Sequence, residues 1–156
     1  MNSLPIRQRI LGVDFGRARI GIAVSDELGL LAHPVETIPA GGTAAKRIDE
    51  IAREKNVERV VIGLPRHMNG SMGEAAEEVL AFAEKLRKLL PCELVVWDER
   101  LTTSAANRAL REGGQKTRNS RSFVDQVAAQ MILQGYLDGL QSLRDRNFEQ
   151  GAVQGD

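Results

Sequence analysis

The stretch Ile10-Leu11-Gly12-Val13-Asp14-Phe15-Gly16, followed after a short break by Ile20-Gly21-Ile22-Ala23-Val24-Ser25-Asp26, decides the fold. Two apolar runs rich in β-branched residues and joined by a Gly-bearing break read as a strand, a tight turn and a second strand. Asp14 stands beside that turn. A carboxylate next to a buried strand is costly to desolvate unless a cation or hydrogen-bond donors meet it. Two further acids, Glu99 and Asp125, occupy comparable settings downstream. The pattern points to a shared metal site.

Outward from this hairpin, the His33-Pro34 turn leads to a third short strand expected at about 35–38. Thr43 is placed to cap a helix whose apolar face holds Ala44, Ile48, Ile51 and Ala52 and which ends near Lys55-Asn56. Val60-Val61-Ile62 reads as a buried strand, the start of an α/β crossover. A Pro- and Gly-bearing loop, 63–70, precedes Ser71 and Glu74, whose spacing predicts a capping box. The helix that follows carries Ala76, Val79, Leu80, Ala83, Leu86 and Leu90 on one face. Leu94-Val95-Val96-Trp97 then makes a fifth strand ending in Asp98-Glu99-Arg100. Two more helices are expected, one over about 103–112 closed by Gly113-Gly114 and one over about 122–140. Beyond Leu143 the chain is polar, so a single domain over 1–142 with a disordered tail over 143–156 is the expected organisation.

The chain has 156 residues with 21 basic and 21 acidic side chains, so its formal charge is zero. No global basic field marks a nucleic-acid partner, and any such sign has to come from local clustering. A lone cysteine, Cys92, excludes an internal disulfide and favours a reducing compartment. No apolar run approaches membrane-spanning length, and the first eight residues lack a signal-like apolar segment. A soluble cytoplasmic protein, monomeric or weakly dimeric, is expected. Trp97 and Cys92 lie on or beside an apolar strand and are expected in the core.

Three consecutive strands followed by crossovers imply a mixed sheet covered by helices. Five ordered segments then carry a resemblance. They are Gly12-Val13-Asp14-Phe15-Gly16; Arg19-Ile20-Gly21-Ile22-Ala23-Val24-Ser25-Asp26; Gly63-Leu64-Pro65 with Asn69-Gly70-Ser71; Asp98-Glu99-Arg100-Leu101-Thr102-Thr103; and Val124-Asp125 with Ala128-Ala129. Together, over about residues 9–138, they resemble the YqgF/RuvX family, which belongs to the RuvC-related, RNase H-like nucleases. The resemblance implies an α/β fold with a five-stranded mixed sheet in the order 3-2-1-4-5. It also implies a nuclease that matures the 5′ end of pre-16S rRNA, with Holliday-junction resolution on branched DNA as the alternative substrate.

By the same resemblance Asp14, Glu99 and Asp125 are the catalytic metal ligands. Each also has an ordinary structural reading. Asp14 suits a hairpin turn, Glu99 a solvated pair with Arg100, and Asp125, three residues after Ser122, the first turn of a helix. Asp98 rivals Glu99 as the strand-end ligand. Three carboxylates suit Mg²⁺ or Mn²⁺, in a two-metal site, better than zinc, for which the chain offers only His33, His67 and Cys92.

Local clustering supplies the polymer-binding half. Arg108, Arg111, Lys116, Arg118 and Arg121 crowd one Gly-rich connection, with Arg17 and Arg19 beside Asp14. Arg17, Arg19, Arg100, Lys116, Arg118 and Arg121 are the expected substrate-binding residues on the RNA backbone, and the family resemblance adds Asn69, whose loop faces the site and shapes the substrate groove. Few aromatic side chains are present, so recognition by base stacking is not indicated. Two other classes compete with the nuclease. Asp14-Phe15-Gly16 ahead of a β-turn-β also resembles the phosphate loop of actin-like ATP-binding proteins, and a non-catalytic RNA or transcription-associated binder would keep the fold.

Overall fold

In a computed structural model, residues 9–101 and 118–154 are described. Three strands come first: β1 (Arg9–Phe15), β2 (Arg19–Ser25) and β3 (Ala32–Pro39). Helix α1 (Ala44–Glu54), strand β4 (Val57–Leu64), helix α2 (Glu74–Leu89) and strand β5 (Glu93–Asp98) follow. A single 3₁₀ turn (Glu99–Leu101) and a long helix α3 (Arg118–Gln154) complete the described elements. The sheet runs in the order β3-β2-β1-β4-β5. β1 pairs antiparallel with β2, β2 antiparallel with β3, β1 parallel with β4, and β4 parallel with β5.

Alternation along the strands sorts side chains onto two faces. Leu11, Val13, Ile20, Ile22, Val60, Ile62 and Leu94 join the buried faces of α1 and α2 in the larger core. On the opposite face Ile10, Ala23 and Val61 meet Ala129, Ile132, Leu133, Tyr136 and Leu137 of α3. The expected inward positions of α1 are all buried, as are Ala76, Val79, Ala83 and Leu86 of α2, with Leu80 and Leu90 half-buried against the same core. Trp97 is half-buried and meets Tyr136 edge to face at 5.4 Å. Cys92 packs on the larger core, and burial pushes its thiol up.

Where the sheet faces α3, helix and strands come unusually close. A Cβ built on Gly21 would stand 1.9 Å from the carbonyl oxygen of Asp125, and one on Gly12 would stand 2.7 Å from Leu133 Cβ and 3.0 Å from the carbonyl of Ala129. Ala129 is buried at this contact. Glycine on the strands and alanine on the helix therefore let two backbones touch. Farther along, the Gln134 side chain accepts from Ala32 N (3.0 Å) and donates to Leu30 O (2.9 Å), tying α3 to the start of β3.

Several expectations change. β3 begins at Ala32 and so contains Pro34, which the edge position and a register shift opposite Ile22/Ala23 accommodate. β4 runs on through Gly63-Leu64, so the loop starts at Pro65. Thr43 sits at the N-cap of α1 but its side chain makes no capping bond. The Ser71/Glu74 capping box does not form. Helix α2 starts at Glu74 with Gly73 as its cap, because the Ser71 hydroxyl donates to Asn69 Oδ1 and Glu74 faces Arg17.

Helix α3 begins at Arg118, not near Ser122, and continues to Gln154, past the expected end near Leu140. Residues 141–147 are exposed, so over this stretch helix-favouring residues and the Gln141–Asp145 contact at 3.2 Å carry the helix without burial. The expected helix at 103–112 lies outside the described residues. No described helix is long and apolar enough to cross a membrane.

Close helix–sheet approach makes a quantitative prediction. Gly21→Ala should destabilise the fold by about 2–3 kcal/mol in urea unfolding, because backbone must move to admit the methyl group. Gly41→Ala, where a Cβ would meet nothing within 4 Å, should stay within about 0.5 kcal/mol of the parent or stabilise it slightly.

Candidate active site

Asp14 is the next-to-last residue of β1 and pairs with Gly21 of β2. Since Leu11 and Val13 enter the α1/α2 core, alternation turns Gly12 and Asp14 toward α3. Asp14 is half-buried there. Its cross-strand partner Gly21 is the residue on which the Asp125 carbonyl rests, so only a glycine separates the two acids across the sheet surface.

Glu99 reaches the same face from the other side. It follows β5, and its carboxylate lies over Gly63 of β4: a Cβ at Gly63 would stand 2.7 Å from Glu99 Oε1 and 3.1 Å from its Cγ. Gly63 is one residue past Ile62, which pairs with Val13, and therefore lies beside Asp14. The missing side chain at Gly63 is the path by which an acid after β5 crosses β4 toward β1. β1, β4 and β5 are parallel, and Asp14 and Glu99 lie toward their carboxyl ends, where open α/β sheets bind ligands.

Asp98 goes elsewhere. Alternation puts it on the face of Val96, away from Trp97 and α3, and it is held by its own neighbour. Arg100 donates through N to Oδ1 (2.9 Å), through Nε to both oxygens (3.1 and 3.0 Å) and through Nη2 to Oδ2 (2.7 Å). The Arg100 hydrogen bonds hold the Asp98 carboxyl below the usual range, with Arg66 Nη1 adding its charge from 3.9 Å. Of the two rival acids, Glu99 is the one that shares a face with Asp14.

Asp125 stands two turns inside α3, so the reading as a helix-capping acid does not apply. It receives Arg19 instead: Arg19 Nε donates to Asp125 Oδ2 at 2.6 Å. Arg17, the other basic residue beside Asp14, turns to α2, where its Nε donates to Glu78 (3.0 and 3.1 Å) and its Nη2 reaches Glu74 (3.4 Å). That pairing raises the Arg17 guanidinium and lowers the Glu78 carboxyl. Asn69 Oδ1 accepts from Ser71 N (2.9 Å) and Ser71 Oγ (2.7 Å), which shapes the loop after β4 around Gly70 at φ +88°. His67 packs on Gly73 in the same loop. Arg118 and Arg121 fall in the first turn of α3, their side chains outside the described set, and Lys116 lies outside the described residues.

As donors the three acids fit a hard divalent cation: they offer oxygen alone, from three different elements, on one sheet face. Arg19 already sets a positive charge against one of them. Among the described residues, no three His, Cys, Asp or Glu side chains stand close enough to hold one ion in common. A metal would have to draw them together.

Sequence reasoning singled out the three acids but missed the glycines that let them share one face. Gly12, Gly21 and Gly63 interrupt the apolar runs of their strands at positions facing α3, and glycine inside a strand is itself a sign of close backbone approach. No local signal foretells the Arg19–Asp125 pair, whose members are 106 residues apart.

Residues 8–139 match the family described as "RuvX: Holliday junction resolvase". A Nocardia farcinica protein named "Putative pre-16S rRNA nuclease" is 48% identical over 143 residues, covering 86% of this chain and 79% of that protein. An Agathobacter rectalis protein of the same name is 44% identical over 141 residues, covering 87% and 99%. Among solved structures the chain is similar to T. thermophilus RuvC in complex with a Holliday junction substrate, at a TM-score of 0.47 and 16% identity over 83% of this chain and 94% of that one. With a family match over nearly the whole described domain and relatives at this identity, the chain belongs to the RuvX family.

Proposed function

We propose that this protein is a cytoplasmic, divalent-metal-dependent nuclease that hydrolyses phosphodiester bonds during 5′-end maturation of precursor 16S rRNA. One observation carries the chemistry: the Glu99 carboxylate crosses Gly63 onto the face shared by Asp14 and Asp125. Three acids from three elements, set on one sheet face near the carboxyl ends of parallel strands, suit phosphoryl transfer better than ATP binding. The names of the relatives support RNA as the substrate.

Asp14, Glu99 and Asp125 hold Mg²⁺ or Mn²⁺ in this reading. When bound, such ions lower the pKa of a water nucleophile and stabilise the leaving oxygen. The chain's own residues bind and orient. Rigid placement of Asp14 on β1, between Gly21 and Gly63, sets the position of the reacting phosphate. Lys116, Arg118 and Arg121 track the polymer, whereas Arg17 and Arg100 contact phosphate only by giving up acids they already hold. The description attached to the family supports branched DNA as the second substrate to test.

Asp14→Asn should abolish Mn²⁺-dependent cleavage of a precursor rRNA fragment, while its affinity for that RNA without divalent metal stays near the parent. The comparison is a cleavage gel beside a binding titration, with a four-way DNA junction as the parallel substrate. Preferred cutting of the junction by the parent would replace the RNA reading with the DNA one, and full activity of Asp14→Asn would refute the acid site.

The two strand-end acids should separate in the same assay. Glu99→Gln is expected to lower the cleavage rate at least about a hundredfold, the range of a lost electrostatic contribution to the transition state. Asp98→Asn should keep most of the rate and lose stability above about pH 4. Because the Asp98 carboxyl is held below its unfolded value, that contribution is present above the unfolded pKa and fades as pH falls through the folded one. A reversed pattern would make Asp98 the ligand.

A further inference from the structure

A permanent cation already occupies one of the three acids. Arg19 opens β2, on the α3 side by alternation with Gly21, and its Nε donates to Asp125 Oδ2 at 2.6 Å. The pair is partly screened from water, the side chains being 45% and 22% exposed. Arg17, the other guanidinium beside Asp14, is held separately by Glu78 and Glu74 and does not share in this contact.

Two roles are open to such a residue: holding Asp125 in a ligating pose, or blocking it. The charges decide between them. Asp14, Glu99 and Asp125 put three acidic groups on one face, and Arg19 sets its positive charge against Asp125. A dication approaching Asp125 meets the guanidinium's positive charge and an oxygen already engaged. Guanidinium cannot be deprotonated at any working pH, so only competition removes it. The arrangement in which Arg19 grips Asp125 is also one in which no three acids among the described residues are gathered for an ion.

We propose that Arg19 is a latch on Asp125: a divalent cation must displace it to bind, and the displaced guanidinium then contacts a substrate phosphate. This rests on the metal-dependent reading above. The planar fork of Arg suits phosphate as well as carboxylate, so one side chain serves both states. Metal and RNA then bind cooperatively, each favouring the position of Arg19 that the other needs, and the coupling is reciprocal.

The test titrates the full chain with Mn²⁺ alone, by calorimetry, in the parent, Arg19→Gln, Arg19→Lys and Asp125→Asn. Arg19→Gln should melt at a lower temperature without metal yet bind Mn²⁺ about three- to fivefold more tightly, the range expected for a partly exposed ion pair that no longer competes. Arg19→Lys, which keeps the charge, should stay near the parent. Asp125→Asn should bind more weakly. If Arg19→Gln binds no more tightly than the parent while Asp125→Asn has lost affinity, the latch is wrong and the metal site stands. If Asp125→Asn binds like the parent, the metal site fails and the latch with it.

A measurement on the parent needs no variant to fold. The Arg19 Nε–H resonance should leave its hydrogen-bonded position at saturating Mg²⁺, and an unmoved resonance would overturn the proposal.

Discussion

Contact between the backbone of α3 and the backbones of β1 and β2 is the constraint on which the rest depends. At Gly21 the Asp125 carbonyl occupies space that any side chain would need, and at Gly12 the Ala129 carbonyl and Leu133 do the same. Strand glycines cost conformational entropy. Burial of Ile132, Leu133 and Leu137 against Ile10, Ala23 and Val61 offsets that cost. What the close approach achieves is chemical: an acid on a helix comes to lie beside an acid on a strand without a long side chain having to bridge the layers.

Two faces of one sheet divide the labour. Toward α1 and α2 the strands carry large aliphatic side chains and form the main core. Toward α3, Gly12, Gly21, Ala23, Ser25 and Gly63 stand among the larger Ile10 and Val61, which leaves room for a helix at one end and for carboxylates at the other. The division also explains why neighbouring acids differ. Asp98 and Glu99 are adjacent, yet strand alternation directs the first to Arg100 and Arg66, while the 3₁₀ turn lets the second fold over Gly63. One residue of register separates an acid that braces a loop from an acid at the candidate site.

Much of this was legible in the sequence, for physical reasons. Strands β1, β2, β4 and β5 announce themselves by apolar runs, and α1 and α2 by the spacing of residues that prove buried. The order of the sheet followed from the family resemblance, since strand pairing is long-range and no local pattern encodes it. Local rules failed where tertiary contacts outbid them. Ser71 and Glu74 have capping-box spacing, but Asn69 takes the hydroxyl and Arg17 meets the carboxylate. Asp125 looked like a first-turn acid because Ser122 looked like a cap, and the helix starts four residues earlier, at Arg118. Arg17 and Arg19 looked alike beside Asp14, and the fold sends one to α2 and the other to α3.

The central claim is that Asp14, Glu99 and Asp125 converge on one bound cation. Paramagnetic broadening by Mn²⁺ reads its position directly, because amide signals weaken steeply with distance from the ion. Titrating the ¹⁵N-labelled chain with substoichiometric Mn²⁺ should erase first the amides around Asp14, Gly21, Gly63, Glu99 and Asp125, and leave those of Leu30 and Arg47 sharp. Broadening centred instead on Glu74 and Glu78, or on Glu36 and Glu50, would contradict the account.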